Sequence, residues 1–299
     1  MPVSDRWIAH PYFAAEGPAW LGQGPNPGIV ADMEHRRCLV TGASSGIGRA
    51  CADRLAAQGW MVVGASRSGT AGNGWQALAM DVDDPASVIS GVARCVSETG
   101  PLDAVVTAAG WGLSGPVETT PLDQARAQME TNFWGSVRVV REVLPIMREH
   151  GGGRIVLISS LGGLLGLPFQ AYYSASKFAL EGFAEALAYE VSPFGISVTL
   201  AEPGNVATGF TDNRRRMDPD RVDSPYVQAN ASAVGVMEHD ERNGVPAGRV
   251  ADAVERVLTA GKPPRRVTVG KPDERLGTFA KRFMPYRLFE RVARGPLGV

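Results

Sequence analysis

The stretch Cys38-Leu39-Val40-Thr41-Gly42-Ala43-Ser44-Ser45-Gly46-Ile47-Gly48, continuing through Arg49 to Gln58, decides the fold. Cys38-Leu39-Val40 is a short apolar run that reads as a strand. Ile47, Cys51 and Leu55 recur at i, i+4 and i+8, which marks the buried face of a helix. Between them lies a turn built of Gly42, Ser44, Ser45, Gly46, Ile47 and Gly48. A strand, a glycine turn and a helix N-terminus bring free backbone N–H groups and the positive end of a helix dipole to one place, where a pyrophosphate can sit. A Cβ in the turn would block that approach. The spacing is G-x-x-x-G-x-G rather than the general G-x-G-x-x-G, and a bare structural turn has the same composition.

Further along, Arg154-Ile155-Val156-Leu157-Ile158 reads as a strand ending in Ser159-Ser160, and Tyr173-x-x-x-Lys177 follows. Tyr and Lys at i and i+4 share one helix face; Tyr172 would point about 100° away. An ammonium beside a phenol favours the phenolate and lowers the phenol pKa from about 10, giving a proton donor or acceptor usable near neutral pH. Ser159 and Ser160 face opposite ways at the strand end, so only one of them faces a ligand.

These motifs, in the order T-G-A-S-S-G-I-G, Asn132, Ser160, Tyr173-x-x-x-Lys177, resemble the short-chain dehydrogenase/reductase family over roughly Glu34 to Gly270. The resemblance implies a doubly wound parallel sheet and hydride transfer with a nicotinamide dinucleotide. It implies that Tyr173 is the acid/base, that Lys177 lowers its pKa and holds the nicotinamide ribose, and that Ser160, chosen over Ser159 by the family's spacing, bonds the substrate oxygen. Asn132 would hold a water linking Lys177 to solvent. Where the family carries N-N-A-G this chain has Thr107-Ala108-Ala109-Gly110, so Ala109 and Gly110 keep room for the cofactor while a side-chain bond between strands is in doubt. Asp81-Val82 resembles the pair that contacts the adenine. Pro203-Gly204-Asn205-Val206-Ala207-Thr208 resembles the P-G-x-V-x-T segment bounding the nicotinamide, with Pro203 and Gly204 fixing the backbone and Val206 and Thr208 available to the carboxamide.

The second strand, Met61 to Ala65, ends at Ser66-Arg67. An NAD site wants a carboxylate there, to accept from the ribose 2′-OH. A guanidinium suits a 2′-phosphate instead, so the pair favours NADP(H); Arg67 as a plain surface charge is the alternative. NADP preference in turn leans towards reduction.

The alternation of patterns predicts one sheet with strands near 38–41, 60–65, 77–80, 103–107, 154–159, 196–200 and 266–269, and helices between them. Gln124 to Arg148 reads as one long helix carrying Asn132, with a kink at Pro145. The catalytic domain is expected over 33–271, with a long, charged and irregular substrate lid over about 205–248. Arg214-Arg215-Arg216 in that lid either forms a solvated face or meets an acidic substrate. Residues 1–32 carry five prolines and little periodicity; as a family member could start at Met33, they are a true extension or an upstream start.

The tail, 272–299, mixes Leu276, Phe279, Phe283, Leu288, Phe289 and Val292 with basic residues and is interrupted by Pro285. It is expected to form helices closing an apolar substrate pocket or a subunit interface; peripheral contact with a membrane is the rival. Leu161, Leu164, Leu165, Leu167 and Phe169 suggest an apolar pocket wall, in keeping with family members acting on steroids, retinoids or other lipophilic carbonyls.

The 299 residues carry a net charge of −1, which gives no case for nucleic acid. Three unpaired cysteines suggest buried thiols in a reducing compartment, and four scattered histidines show no metal-ligand spacing. No apolar run reaches the ~18 residues of a membrane span. The expectation is a cytoplasmic NADP(H)-dependent reductase or dehydrogenase of lipophilic carbonyls and alcohols, as a homo-dimer or homo-tetramer. The alternatives are NAD(P)-dependent alcohol oxidation in a biosynthetic pathway and a catalytically silent nucleotide-sensing protein.

Overall fold

The computed structural model describes residues 36–217, 224–285, 287–288 and 290–291. The expected extension 1–32 and the lid residues Asp218, Asp220, Arg221 and Asp223 lie outside them.

Seven strands form one parallel sheet: β1 (Arg37–Thr41), β2 (Met61–Ser66), β3 (Gln76–Ala79), β4 (Ala104–Thr107), β6 (Gly153–Ile158), β7 (Ile196–Pro203) and β11 (Arg266–Val269). Their order is β11-β7-β6-β4-β1-β2-β3. Leu39 pairs with Val63 on one side and Val105 on the other, so the winding reverses direction at β1. That reversal opens a crevice at the C-terminal strand ends, the place where open α/β sheets bind ligands.

The central strands are apolar on both faces, as a sheet covered by helices on both sides requires. Cys38, Val40, Ala104, Val106, Val156 and Ile158 face α1 (Gly46–Ala57) and α7 (Ala247–Thr259). Leu39, Val63, Val105, Ile155, Leu157, Val198 and Leu200 face α2 (Pro85–Thr99), α4 (Ser136–Glu149) and α5 (Ala171–Val191). Cys38, Cys51 and Cys95 are free thiols, all buried in these layers. At one edge Arg266 pairs with Glu202, Glu181 and Glu185, tying α5 to β7 and β11.

Two expectations change. The helix expected over Gln124–Arg148 is α3 (Leu122–Met129), a π-turn (Glu130–Gly135) and α4, which runs through Pro145. The irregularity falls at Asn132, not at the proline. The described part of the lid segment also carries more regular structure than its composition suggests. Two short parallel pairings pin it, β8 (Val206–Ala207) with β10 (Val245–Pro246), and β5 (Leu113–Ser114) with β9 (Arg215–Arg216). Between them runs α6 (Val227–Arg242), and α8 (Pro272–Phe283) follows β11.

Candidate active site

A cleft of about 750 Å³ opens along the strand ends. Its floor at one end is the turn after β1. Gly42 has φ +69°, and a Cβ there would come within 2.8 Å of the Ala108 and Ala109 backbone. Ser45 at the N-cap of α1 makes no side-chain capping bond, so the first-turn N–H donors of that helix are not closed off by it. The Thr41 hydroxyl accepts from the amides of Ala108 and Ala109 at 3.1 and 3.3 Å. It supplies the link between β1 and β4 that the missing Asn of the N-N-A-G pattern put in doubt.

Gly42, Ser44, Ser45, Gly46, Ile47, Gly48, Ser66, Arg67, Asp81, Val82, Ala109 and Gly110 all line this half. Ser66 is buried at the end of β2 and Arg67 is exposed beside it, with no ion pair among the described residues. Asp81 accepts from the Asp83 amide at 3.1 Å. Open backbone at a helix N-terminus, small residues and a free guanidinium fit a phosphate-bearing dinucleotide.

Asn132, Ser160, Tyr173 and Lys177 meet in the middle of the cleft, and Pro203, Gly204, Val206 and Thr208 border it. Tyr173 lines the cleft and Tyr172 does not, as the i, i+4 spacing requires. The π-turn presents Asn132, whose Oδ1 accepts from the Trp111 amide (3.0 Å) and whose Nδ2 donates to the Trp111 carbonyl (3.1 Å) and Ser176 Oγ (3.2 Å). Its side chain is therefore a clamp on the segment after β4. Gly110 lies between Asn132 and Lys177: a Cβ there would stand 3.0 Å from Asn132 Oδ1 and 3.9 Å from Lys177 Nζ. Ser160 caps the short turn Leu161–Gly163, accepting from the Gly162 amide at 3.0 Å.

The electrostatics differ from the expectation. Burial pushes the Tyr173 phenol up to about 12; the hydrogen bond from Ser160 and the charge of Arg214 oppose this, and Glu241 adds to it. Burial brings Lys177 down to about 8, with Glu181 opposing. The Lys177 ammonium donates to the Ile158 carbonyl at 2.8 Å and stands 6.0 Å from the Tyr173 ring centre. At neutral pH the phenol is protonated, poised as a donor.

The other end is the mixed wall of a binding pocket: Leu161, Leu165, Leu167, Pro168, Phe210 and Met237, with Asp240, Glu241 and Glu274 among them. Phe210 packs edge-on to Tyr173 with centroids 5.9 Å apart. The arginine run divides: Arg214 turns inward, while Arg215, which also lines the cleft, and Arg216 are exposed. The Arg214 side chain is fully buried on Glu241, Arg215 stacks on Trp111 at 4.2 Å, and Arg216 pairs with Glu238. Thr41, Trp111, Phe210, Glu241 and Glu274 were not visible as site residues in the sequence. Their partners lie far along the chain, and no local spacing marks them.

The tail also departs from its pattern. In α8 the cleft is lined by Glu274 and Gly277, whereas Leu276 and Phe283 are exposed, as is Leu288 beyond the helix. Phe289 and Val292, and the side chain of Phe279, lie outside the described residues.

The model of the short chain dehydrogenase family matches residues 36–219. The chain is 38% identical over 263 residues to a 3-ketodihydrosphingosine reductase of Bacteroides thetaiotaomicron, covering 88% of this chain and 98% of that one. It is 41% identical to human 17-beta-hydroxysteroid dehydrogenase type 1 over 191 residues, 58% of each chain. A short-chain dehydrogenase from Streptomyces avermitilis superposes with a TM-score of 0.75 at 32% identity, over 88% of this chain and 99% of its own. With the parallel sheet, the glycine turn and the Ser–Tyr–Lys arrangement in place, the chain belongs to the short-chain dehydrogenase/reductase family.

Proposed function

We propose that the protein is an NADP(H)-dependent reductase of ketones or aldehydes on lipophilic molecules. The observation that carries this is the meeting of Ser160, a buried Tyr173 phenol and Lys177 in one cleft walled by Leu161, Leu165, Leu167 and Phe210. A phenol kept protonated by its burial can donate to a carbonyl oxygen, and the phenolate it leaves takes the proton back in the reverse direction.

When bound, the dinucleotide supplies the hydride to the carbonyl carbon. Ser160 and Tyr173 hold the carbonyl oxygen and polarise it, and Tyr173 Oη gives up its proton as the oxygen becomes negative. Lys177 holds a positive charge near that phenol and, with Asn132 bordering it across Gly110, forms the route for a replacement proton. Gly42 through Gly48 would hold a pyrophosphate on the N-terminus of α1. Arg67 beside Ser66 would read the 2′-phosphate, Asp81 and Val82 would take the adenine, and Val206 and Thr208 would take the carboxamide.

The apolar stretch Leu161 to Pro168 with Phe210 and Met237 supports a lipophilic substrate, as does the likeness to the Bacteroides 3-ketodihydrosphingosine reductase. No helix among the described residues is long and apolar enough to cross a membrane. The test is NADPH and NADH consumption with a panel of long-chain, steroidal and short polar ketones. Preference for NADPH and for lipophilic ketones is expected; turnover confined to polar substrates, or to NADH, overturns the reading.

A further inference from the structure

Helix α8 meets the rest of the protein with its polar side. Glu274, Gly277 and Lys281 recur at i, i+3 and i+7, one face of a helix, and this is the face turned inward. Glu274 Oε1 accepts from the Asn205 side-chain amide at 2.7 Å and from the Asn205 backbone at 3.4 Å. Its Oε2 accepts from the Lys271 amide at 2.9 Å. A Cβ on Gly204 or on Gly270 would run into this carboxylate, so it is seated between two glycines. Two turns on, Lys281 Nζ donates to the Leu164 carbonyl at 2.5 Å and lies 5.3 Å from the centre of the Phe178 ring. Leu164 ends the short turn that Ser160 begins. Gly277, between them, lines the cleft, and a Cβ there would meet nothing within 4 Å.

One helix thus holds two loops. Glu274 grips the segment after β7, and Lys281 grips the segment after β6 that carries Ser160. Both loops border the reacting centre. We propose that α8 is a clasp: Glu274 is a positioning residue for the nicotinamide side of the cleft and Lys281 for the substrate-oxygen side. The inference rests on the nicotinamide reading of the 203–208 loop given above. It goes beyond a capping role for Glu274, because the capping bond uses Oε2 while the loop is held by Oε1.

Asn205→Ala separates the two roles, since it removes the loop's side-chain donor and leaves the capping bond of α8 in place. Kd is measured for NADPH, for NADH and for 2′,5′-ADP, which carries the adenosine phosphates without the nicotinamide. The bond lost holds the loop rather than the ligand, so the Kd of the dinucleotides should rise by about three- to tenfold, less than for a charge-assisted bond made to the ligand itself, while that of 2′,5′-ADP stays within error. Lys281→Met should leave every Kd unchanged and reduce single-turnover hydride transfer to a ketone by a similar factor. Equal losses for 2′,5′-ADP and NADPH, or unchanged dinucleotide binding in Asn205→Ala, overturn the clasp alone. A wild-type protein that binds neither dinucleotide overturns the nicotinamide reading, and the clasp with it.

Discussion

The Lys177 ammonium donates to the Ile158 carbonyl at 2.8 Å, at the end of β6 and two residues before Ser160. The lysine is held by the strand that presents the serine and, through α5, by the helix that presents Tyr173. Burial depresses its pKa to about 8 from an ordinary 10.5. Below pH 8 both the folded and unfolded chains carry this charge, and the folded state bears the full penalty. Between 8 and 10.5 only the unfolded chain is charged, so the penalty fades as pH rises. Lys177→Met should therefore lose activity yet melt higher at pH 7, by an amount corresponding to roughly 3 kcal/mol at most. That advantage should vanish towards pH 10.5. Thermal melts across pH 6–10 check it, and a variant less stable at pH 7 refutes it.

Tyr173→Phe removes a single oxygen from a buried ring and should leave the fold and dinucleotide binding intact. Turnover should drop ~10²–10⁴-fold, the usual loss on removing a general acid. Tyr172→Phe should stay near wild type, because Tyr172 does not line the cleft. Steady-state rates of the two variants decide between the tyrosines.

Arg67→Ala should weaken NADPH about ten- to a hundredfold, the range for loss of a charge-assisted hydrogen bond, and leave NADH nearly untouched. Ser66→Asp should shift preference further to NADH, since a carboxylate repels the 2′-phosphate and accepts from a free 2′-OH. Equal losses for both cofactors in Arg67→Ala would show that this guanidinium reads something else.

Arg214→Met should destabilise the protein by about 3–5 kcal/mol, the range for stranding one partner of a buried ion pair. The Arg214 side chain is fully buried, and the Glu241 carboxylate left behind is 12% exposed. Because Glu241 raises the Tyr173 phenol and Arg214 lowers it, the variant should hold the phenol higher still. Adding Glu241→Gln should recover part of the stability; denaturant melts of the single and double variants measure that coupling. Additive losses would mean the pair is not coupled.

The seven strands and the pairing of Tyr173 with Lys177 were legible because each depends on spacing within a short window. Alternation along a strand or an i, i+4 step is a property of neighbours. Thr41 with Ala108, Arg214 with Glu241 and Asn205 with Glu274 are pairings across tens of residues, and no window contains them. The π-turn at Asn132 is hidden for another reason: its extra residue shifts the helical phase by about 100° between two short helices, and neither is long enough for its own phase to stand out from the other's. In α8 the apolar residues mark an amphipathic helix correctly, but periodicity cannot say which side is docked. Here two polar contacts at Glu274 and Lys281 fix the inner face, and Leu276 and Phe283 are left outside.

The three cysteines sealed in the layers on either side of the sheet have a chemical consequence. Burial pushes Cys51 up to about 12 and Cys95 up to about 11, and it raises Cys38 as well. None of them supplies appreciable thiolate at physiological pH, so iodoacetamide and dilute peroxide should find no ready nucleophile in the folded protein. Inactivation by an oxidant would instead be written in thioethers: sulfoxidation of Met237, half-buried on the cleft wall, would set a polar S=O where an apolar substrate has to lie.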